Sequence, residues 1–195
     1  NNILATDSTM GVTAPDLEPF ELVLPTNANS GKPFSLSYVI ENHGPGDVID
    51  RNWKDKIYLS QNETLDTTSA QELQTFGRSS TIAAGSTVVA EETVNMPQGI
   101  SGAFYVFVVL DAGSAVFEDG AENNNIIRSN APVQVDLSPW PDLTVAMVDV
   151  PVSMNAGAKL EVTWEVTNSG SANTGVGKWT DRLYLSQAES WDGSF

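Results

Sequence analysis

The chain lacks cysteine, has one histidine in 195 residues, and carries 9 basic residues against 25 acidic ones, for a net charge of −16. Each scarcity closes off a class of chemistry. Without cysteine there are no disulfides, thiolate metal sites or cysteine nucleophiles. A lone histidine rules out the usual zinc constellations, and His43 stands in a stretch rich in Gly and Pro that reads as an exposed loop. A nucleic-acid reader needs a basic footprint to engage phosphates, and none exists here. Anionic membrane surfaces are disfavoured for the same reason, and no apolar run approaches the roughly 20 residues that span a bilayer. The opening stretch NNILATDSTM has neither a basic start nor an apolar core, so it does not read as a signal peptide. No segment shows a capped 3.6-residue period, and no nucleophile elbow, phosphate loop or dinucleotide fingerprint occurs. Asp55/Asp66 and Glu118/Glu122 are the pairs that could be imagined as acid and base, and carboxylates on turns of this kind read as structural. The chain is not expected to be an enzyme.

What the chain does contain is a repeat. WKDKIYLSQ (Trp53 to Gln61) returns as WTDRLYLSQ (Trp179 to Gln187), 126 residues further on. At the same offset APDLEPFELVLP lies over WPDLTVAMVDVP, and Asn42-His43-Gly44 over Asn168-Ser169-Gly170. His43 therefore faces a serine in the second copy, which a catalytic base would not. Phe34, Leu36, Tyr38 and Ile40 lie over Leu160, Val162, Trp164 and Val166. Asn1-Asn2-Ile3-Leu4 also resembles Asn124-Asn125-Ile126-Ile127. The expected organisation is a tail of a preceding unit or a linker over 1–13, a complete unit over 14–137, and the first half of a following unit over 138–195. On this reading the chain is a window cut from a longer array.

The elements read as strands. Phe34 to Asn42 alternates apolar and polar residues, the period-2 pattern of a half-buried strand. Leu17–Leu24, Lys54–Leu59, Leu73–Arg78, Thr87–Met96, Ala103–Leu110 and Ile126–Val135 complete about seven strands, separated by turn clusters such as HGPGD, PQGISG and EDGAENNN. AFYVFVVL is almost continuously apolar, as a strand covered on both faces would be. Seven short strands in one unit predict an all-β fold, an immunoglobulin-like β-sandwich. Tyr38 and Trp164 read as core aromatics. Trp53 and Trp179 read as plugs at the end of a sandwich or as a sugar-stacking face.

The acidity has two readings, a solvated surface that keeps the chain soluble and carboxylates gathered on a hard cation. The segment LDAGSAVFEDGAENNN is the first candidate, with Asp111, Glu118, Asp119 and Glu122 followed by Asn123, Asn124 and Asn125. Calcium takes six to eight oxygens, and carboxylates, amides and backbone carbonyls on a glycine-containing turn supply them. The competing reading is that these side chains close the turn on backbone amides. A weaker candidate is SQNETLD, with Asn62, Glu63 and Asp66, echoed by Glu189 and Asp192.

Proline-Asp-Leu near the start, N-x-G after the second strand, W-x-D-x-x-YLS, and a closing pattern at Asp111, Glu118, Glu122, Asn123 and Asn124 together resemble the CARDB family, the cell-adhesion-related domain found in bacteria. Gln61 and Gln187 depart from the acidic residue that the family often carries after YLS. The resemblance implies tandem Ig-like sandwiches in large secreted or cell-surface proteins of bacteria and archaea, with an adhesive or scaffolding role and no catalysis. The partners expected are neighbouring repeats of the same array and a cell-surface protein or glycan. Self-assembly through exposed strand edges is a further expectation. The alternative is an accessory module of a secreted enzyme, spacing or binding carbohydrate through aromatics such as Trp140 or Trp191.

Overall fold

The computed structural model describes residues 11–49 and 51–187. They fall into two units divided between Ser138 and Pro139. The described residues hold strands and turns and no helix. In the first unit the strands are β1 (Leu17–Val23), β2 (Asn27–Asn29), β3 (Pro33–Asn42), β4 (Trp53–Ser60), β5 (Gln71–Arg78), β6 (Thr87–Asn95), β7 (Gly102–Val109), β8 (Ile126–Arg128) and β9 (Val133–Asp136). β1, β3 and β6 form one antiparallel sheet, and the second runs β2-β9-β7-β4-β5 with β8 also paired to β7.

The alternation in β3 produces this layering directly. Phe34, Leu36, Tyr38 and Ile40 are all buried between the sheets, while Ser35 and Ser37 face outward. They join Leu17 from β1, Val94 from β6, and Trp53, Ile57, Leu59, Val106 and Val108 from the opposite sheet in one core. Burying each such side chain contributes about 1.5–3 kcal/mol, before the entropy of ordering the chain is set against it. In β7 three consecutive residues, Val106 to Val108, are buried, so the apolar run is covered on both faces there. Phe107 stands opposite Tyr58 of β4, and both are buried.

Two strands differ from the pattern read in the sequence. The segment expected as one strand over 126–135 is two, β8 and β9, which pair with opposite ends of β7. The chain leaves the ladder at Ser129-Asn130-Ala131-Pro132, where proline has no N–H to donate. Ser129 bridges the gap: its N–H donates to Val106 O (2.8 Å) and its Oγ accepts from Val106 N (3.1 Å). β2, only three residues long, pairs in parallel with β9.

In the second unit, β10 (Leu143–Asp149) and β11 (Thr163–Asn168) form an antiparallel pair. Trp179 to Gln187, the counterpart of β4, is not a strand. In the first unit β4 is held between β5 and β7, and no such flanking strands occur among the described residues of the second. The tail motif at residues 1–4 lies outside the described residues, as do Glu189, Trp191 and Asp192.

Candidate functional site

The recurring motifs meet around the start of β1. Asn42 ends β3, and its Oδ1 accepts from Asp16 N (3.0 Å) and Gly44 N (3.1 Å) while its Nδ2 donates to Gly46 O (2.8 Å) and Ile82 O (3.1 Å). One buried amide thus fastens the Pro-Asp-Leu segment, the loop after β3 and the bridge at Ile82 together. Gly44 has to be glycine, because a Cβ there would stand 2.5 Å from Asp16 N and Ala14 O. Those contacts are the physical content of the N-x-G motif.

The closing pattern reaches the same place from the far end of the unit. Leu17 N–H donates to Glu118 Oε1 (3.3 Å), and Asn124 Nδ2 donates to Asp16 Oδ1 (2.8 Å). Glu118 is only 2% exposed and its other oxygen, Oε2, is buried with no hydrogen-bond partner. Asn124 Oδ1 is in the same condition, as are both polar atoms of the Asn125 side chain. Burial pushes the Glu118 carboxyl up to about 7, with repulsion from Glu122 and Asp111 added. The Asn125 amide and the Leu17 N–H pull the other way.

The remaining members of that candidate are placed differently. Asp111 is buried with φ near 39°, and its carboxylate accepts from Ala115 N (3.0 Å) and Val116 N (2.7 Å), closing the turn after β7. Its oxygens are engaged as the competing reading required. Asp119, Glu122 and Asn123 are exposed. Asp16 was not singled out in the sequence; its signal was the doubled Pro-Asp-Leu.

The weaker candidate is not drawn together. Glu63 accepts from Tyr105 Oη (2.9 Å) and from Arg128, whose Nη1 lies 3.1 Å from Oε2. The tyrosine bond first, then the arginine, holds its carboxyl below the usual range. Asp66 Oδ1 takes Thr68 N and Oγ1, and its Oδ2 takes Ser69 Oγ. The Asn62 side chain is exposed, and its backbone N–H donates to Ser60 Oγ. Among the described residues no three acidic or histidine side chains converge as a metal cage.

A second buried polar group links the sheets. Tyr38 Oη donates to Asp55 Oδ2 (2.9 Å), which also accepts Arg78 Nε (2.7 Å), and Asp111 N–H donates to Asp55 Oδ1 (3.3 Å). Arg78 reaches on to Glu92 (2.8 Å). Burial first, then the Asp55 charge, raises the Tyr38 hydroxyl well above its ordinary pKa, so it stays a neutral donor. Every charged side chain in this group is paired, the Arg78 guanidinium serving both Asp55 and Glu92, which suits a structural strut rather than a reactive centre. Trp53, 2% exposed, lies in the core as a plug and offers no sugar-stacking face. His43 is exposed, with Nε2 3.3 Å from Glu41 and 3.5 Å from Glu18.

Much of this bonding recurs in the second unit, 126 residues on. Asn168 Oδ1 accepts from Asp142 N (2.9 Å) and Gly170 N (3.1 Å), and its Nδ2 donates to Ala172 O (2.7 Å). Trp164 Nε1 donates to Asp181 Oδ2 (3.0 Å), as Tyr38 does to Asp55.

The chain is similar to the CARDB domain of the PF1109 protein from Pyrococcus furiosus, whose crystal structure is a complex with di-metal ions. That likeness has 18% identity, a TM-score of 0.47, and covers 66% of this chain and 100% of that one. It is also similar to part of β-glucosidase 3B from Thermotoga neapolitana in complex with glucose (14% identity, TM-score 0.41, 64% of this chain and 17% of that one). A third likeness is to the alkylpurine DNA glycosylase AlkC of Pseudomonas fluorescens bound to DNA containing an abasic site analog (14%, TM-score 0.37, 62% and 30%). No curated protein matches the chain. The CARDB family model matches residues 14–129, the stretch from the Asn42 clamp through the Glu118 turn, and the chain belongs to the CARDB family of Ig-like β-sandwich modules.

Proposed function

We propose that the chain works as a non-catalytic bead, used in series with other copies of itself, in a large secreted or cell-surface protein with an adhesive or scaffolding role. The observation that carries this reading is the recurrence of the same side-chain bonds 126 residues apart, at Asn42 and Asn168 and at Asp55 and Asp181. A sequence that writes the same clamp and the same aromatic–aspartate bond twice is making the same module twice. Several polar groups buried in the first unit serve packing: Arg78 and Asp55 are paired, and Asp111 caps a turn. Acidity on the outer surface keeps such a module soluble and apart from its neighbours.

The accessory carbohydrate-binding alternative needs a flat row of exposed aromatics. Up to Ser138, Phe117 is the one exposed aromatic among the described residues; beyond it Trp140, the aromatic named for that role, is exposed, as are Trp164, Trp179 and Tyr184. The serial reading is tested by pulling single molecules that carry several consecutive copies. Equal unfolding steps of about 40–45 nm, the contour of one repeat at roughly 3.3–3.6 Å per residue, are the expected result. A single step, or no regular spacing, refutes the serial module. A glycan array on the same protein, silent throughout, removes the carbohydrate alternative.

A further inference from the structure

The turn after β7 carries oxygens that its own fold does not use. Glu118 Oε2, Asn124 Oδ1 and Asn125 Oδ1 are buried and without partners. Glu118 is 2% exposed and Asn125 4%. Two contacts and one step of chain bring their side chains into one region: Glu118 is held by Leu17 N–H, Asn124 by the neighbouring Asp16, and Asn125 follows Asn124 directly. Leaving a buried polar atom unmatched costs about 1–3 kcal/mol, more when it is charged. Three such oxygens on one turn are therefore expected to share an occupant.

We propose that Glu118 Oε2, Asn124 Oδ1 and Asn125 Oδ1 bind a divalent calcium-class cation that ties the turn over residues 118–125 to the start of β1. The donor set is all oxygen, which selects a hard cation. Two neutral amides and one carboxylate on a turn suit calcium, which accepts amide oxygens in flexible geometry. Magnesium demands a near-ideal octahedron and holds its waters. Asp16 and Glu122 lie beside the donors and add negative potential without being required as ligands. Among the described residues, the side-chain hydrogen bonds that join the turn to the start of β1 are Leu17 to Glu118 and Asp16 to Asn124. A cation there adds a third link between residues about a hundred positions apart in the chain. The site does not depend on the serial reading, since it lies wholly within one unit.

The test is isothermal titration of calcium, and separately of magnesium, into the chelator-treated 195-residue protein, with thermal melting in parallel. The expected result is one calcium site per chain, tighter than magnesium, and a higher melting temperature with calcium. Glu118→Gln keeps the Oε1 acceptor for Leu17 and removes the charge, so it is expected to fold and to weaken calcium binding by about tenfold or more. Asn124→Ala, at a partly exposed position, is the second variant should Glu118→Gln fail to fold, and is expected to weaken binding in the same direction. No calcium heat and no melting shift in the unaltered protein overturns the proposal. Wild-type affinity in the variants overturns it equally, since the ion is then elsewhere.

Discussion

The two units of this chain contain the same side chains at matching positions in different surroundings. Trp53 is 2% exposed and Trp179 is 51%; Leu59 is 2% and Leu185 is 95%. Yet the Asn42 and Asn168 amides make matching bonds to the Asp-Leu segment and the glycine, and the Tyr38 and Trp164 side chains both reach their aspartates. The difference separates what short stretches of sequence determine from what distant strands determine. The asparagine clamp and the β10–β11 pairing need only about thirty consecutive residues. Burial of the tryptophan and a straight β4 need β5, β6 and β7, which stand up to fifty residues away in the first unit.

The largest effect that distinguishes the units is expected at the aspartate. Asp55→Ala takes the acceptor from the half-buried Arg78 Nε, leaving Glu92 as the one carboxylate on that guanidinium, and strips acceptors from Tyr38 Oη and Asp111 N. Removing one member of a buried ion pair costs about 3–5 kcal/mol. Asp181→Ala, where the same bond is exposed and no arginine joins it, is expected to stay within about 0.5 kcal/mol. Because two units need not unfold together, the measurement is denaturant titration followed by NMR signals assigned to each. Equal losses in the two units would show that burial is not what separates them.

The asparagine clamp gives the next effect, and sharpens the comparison because its bonds are matched. Asn42→Ala takes the acceptor from the Asp16 and Gly44 N–H groups and the donor from the Gly46 carbonyl, while Ile82 O keeps its bond from Val48 N–H, for an expected loss of about 2–3 kcal/mol. Asn168→Ala makes the same deletion at an exposed amide, whose partners water can satisfy, and is expected to cost under about 1 kcal/mol. The same readout checks both.

These cases show how much was legible in the sequence. β3 was, because strict alternation over Phe34 to Ile40 leaves one face to bury. The break between β8 and β9 was not, since Ser129 mends the ladder with a side chain that pattern alone does not reveal. β2 is too short to carry a period. At the candidate site, the residue types and the turn were legible, and the division of labour was not. Asp111 and Glu118 look equivalent in the sequence. Only tertiary packing decides that Asp111 spends both oxygens on amides while Glu118 keeps one unpaired. The bond from Glu118 to Leu17 spans 101 residues, beyond any local pattern.

Glu118 also distinguishes the units by pH, with calcium chelated. Its folded pKa of about 7 lies above the ordinary 4.5, through burial first. The folded state therefore holds the proton more tightly than the unfolded one. Its contribution is fully present below about pH 4.5 and is lost as pH rises toward 7. The first unit is expected to lose on the order of 2 kcal/mol across that window, and Glu118→Gln is expected to flatten the slope. The second unit has no counterpart of this turn among its described residues, and its signals are expected to stay level. A slope that survives Glu118→Gln assigns the titration to another group.

The smallest effect comes from exchanging the aromatic that the two units do not share. Trp164→Tyr installs the first unit's residue in the second, and a tyrosine hydroxyl can still donate to Asp181. The position is 36% exposed, so little apolar area changes its environment, and the Arg78 and Glu92 links that make Tyr38 part of a buried network have no counterpart among the described residues of the second unit. Hydrogen exchange of the β10 and β11 amides is expected to shift by no more than about 0.5 kcal/mol. A larger protection gained with tyrosine would mean that the residue itself, rather than the strands packed over it, makes the strut in the first unit, and would remove the distinction between local and distant causes on which the comparison stands.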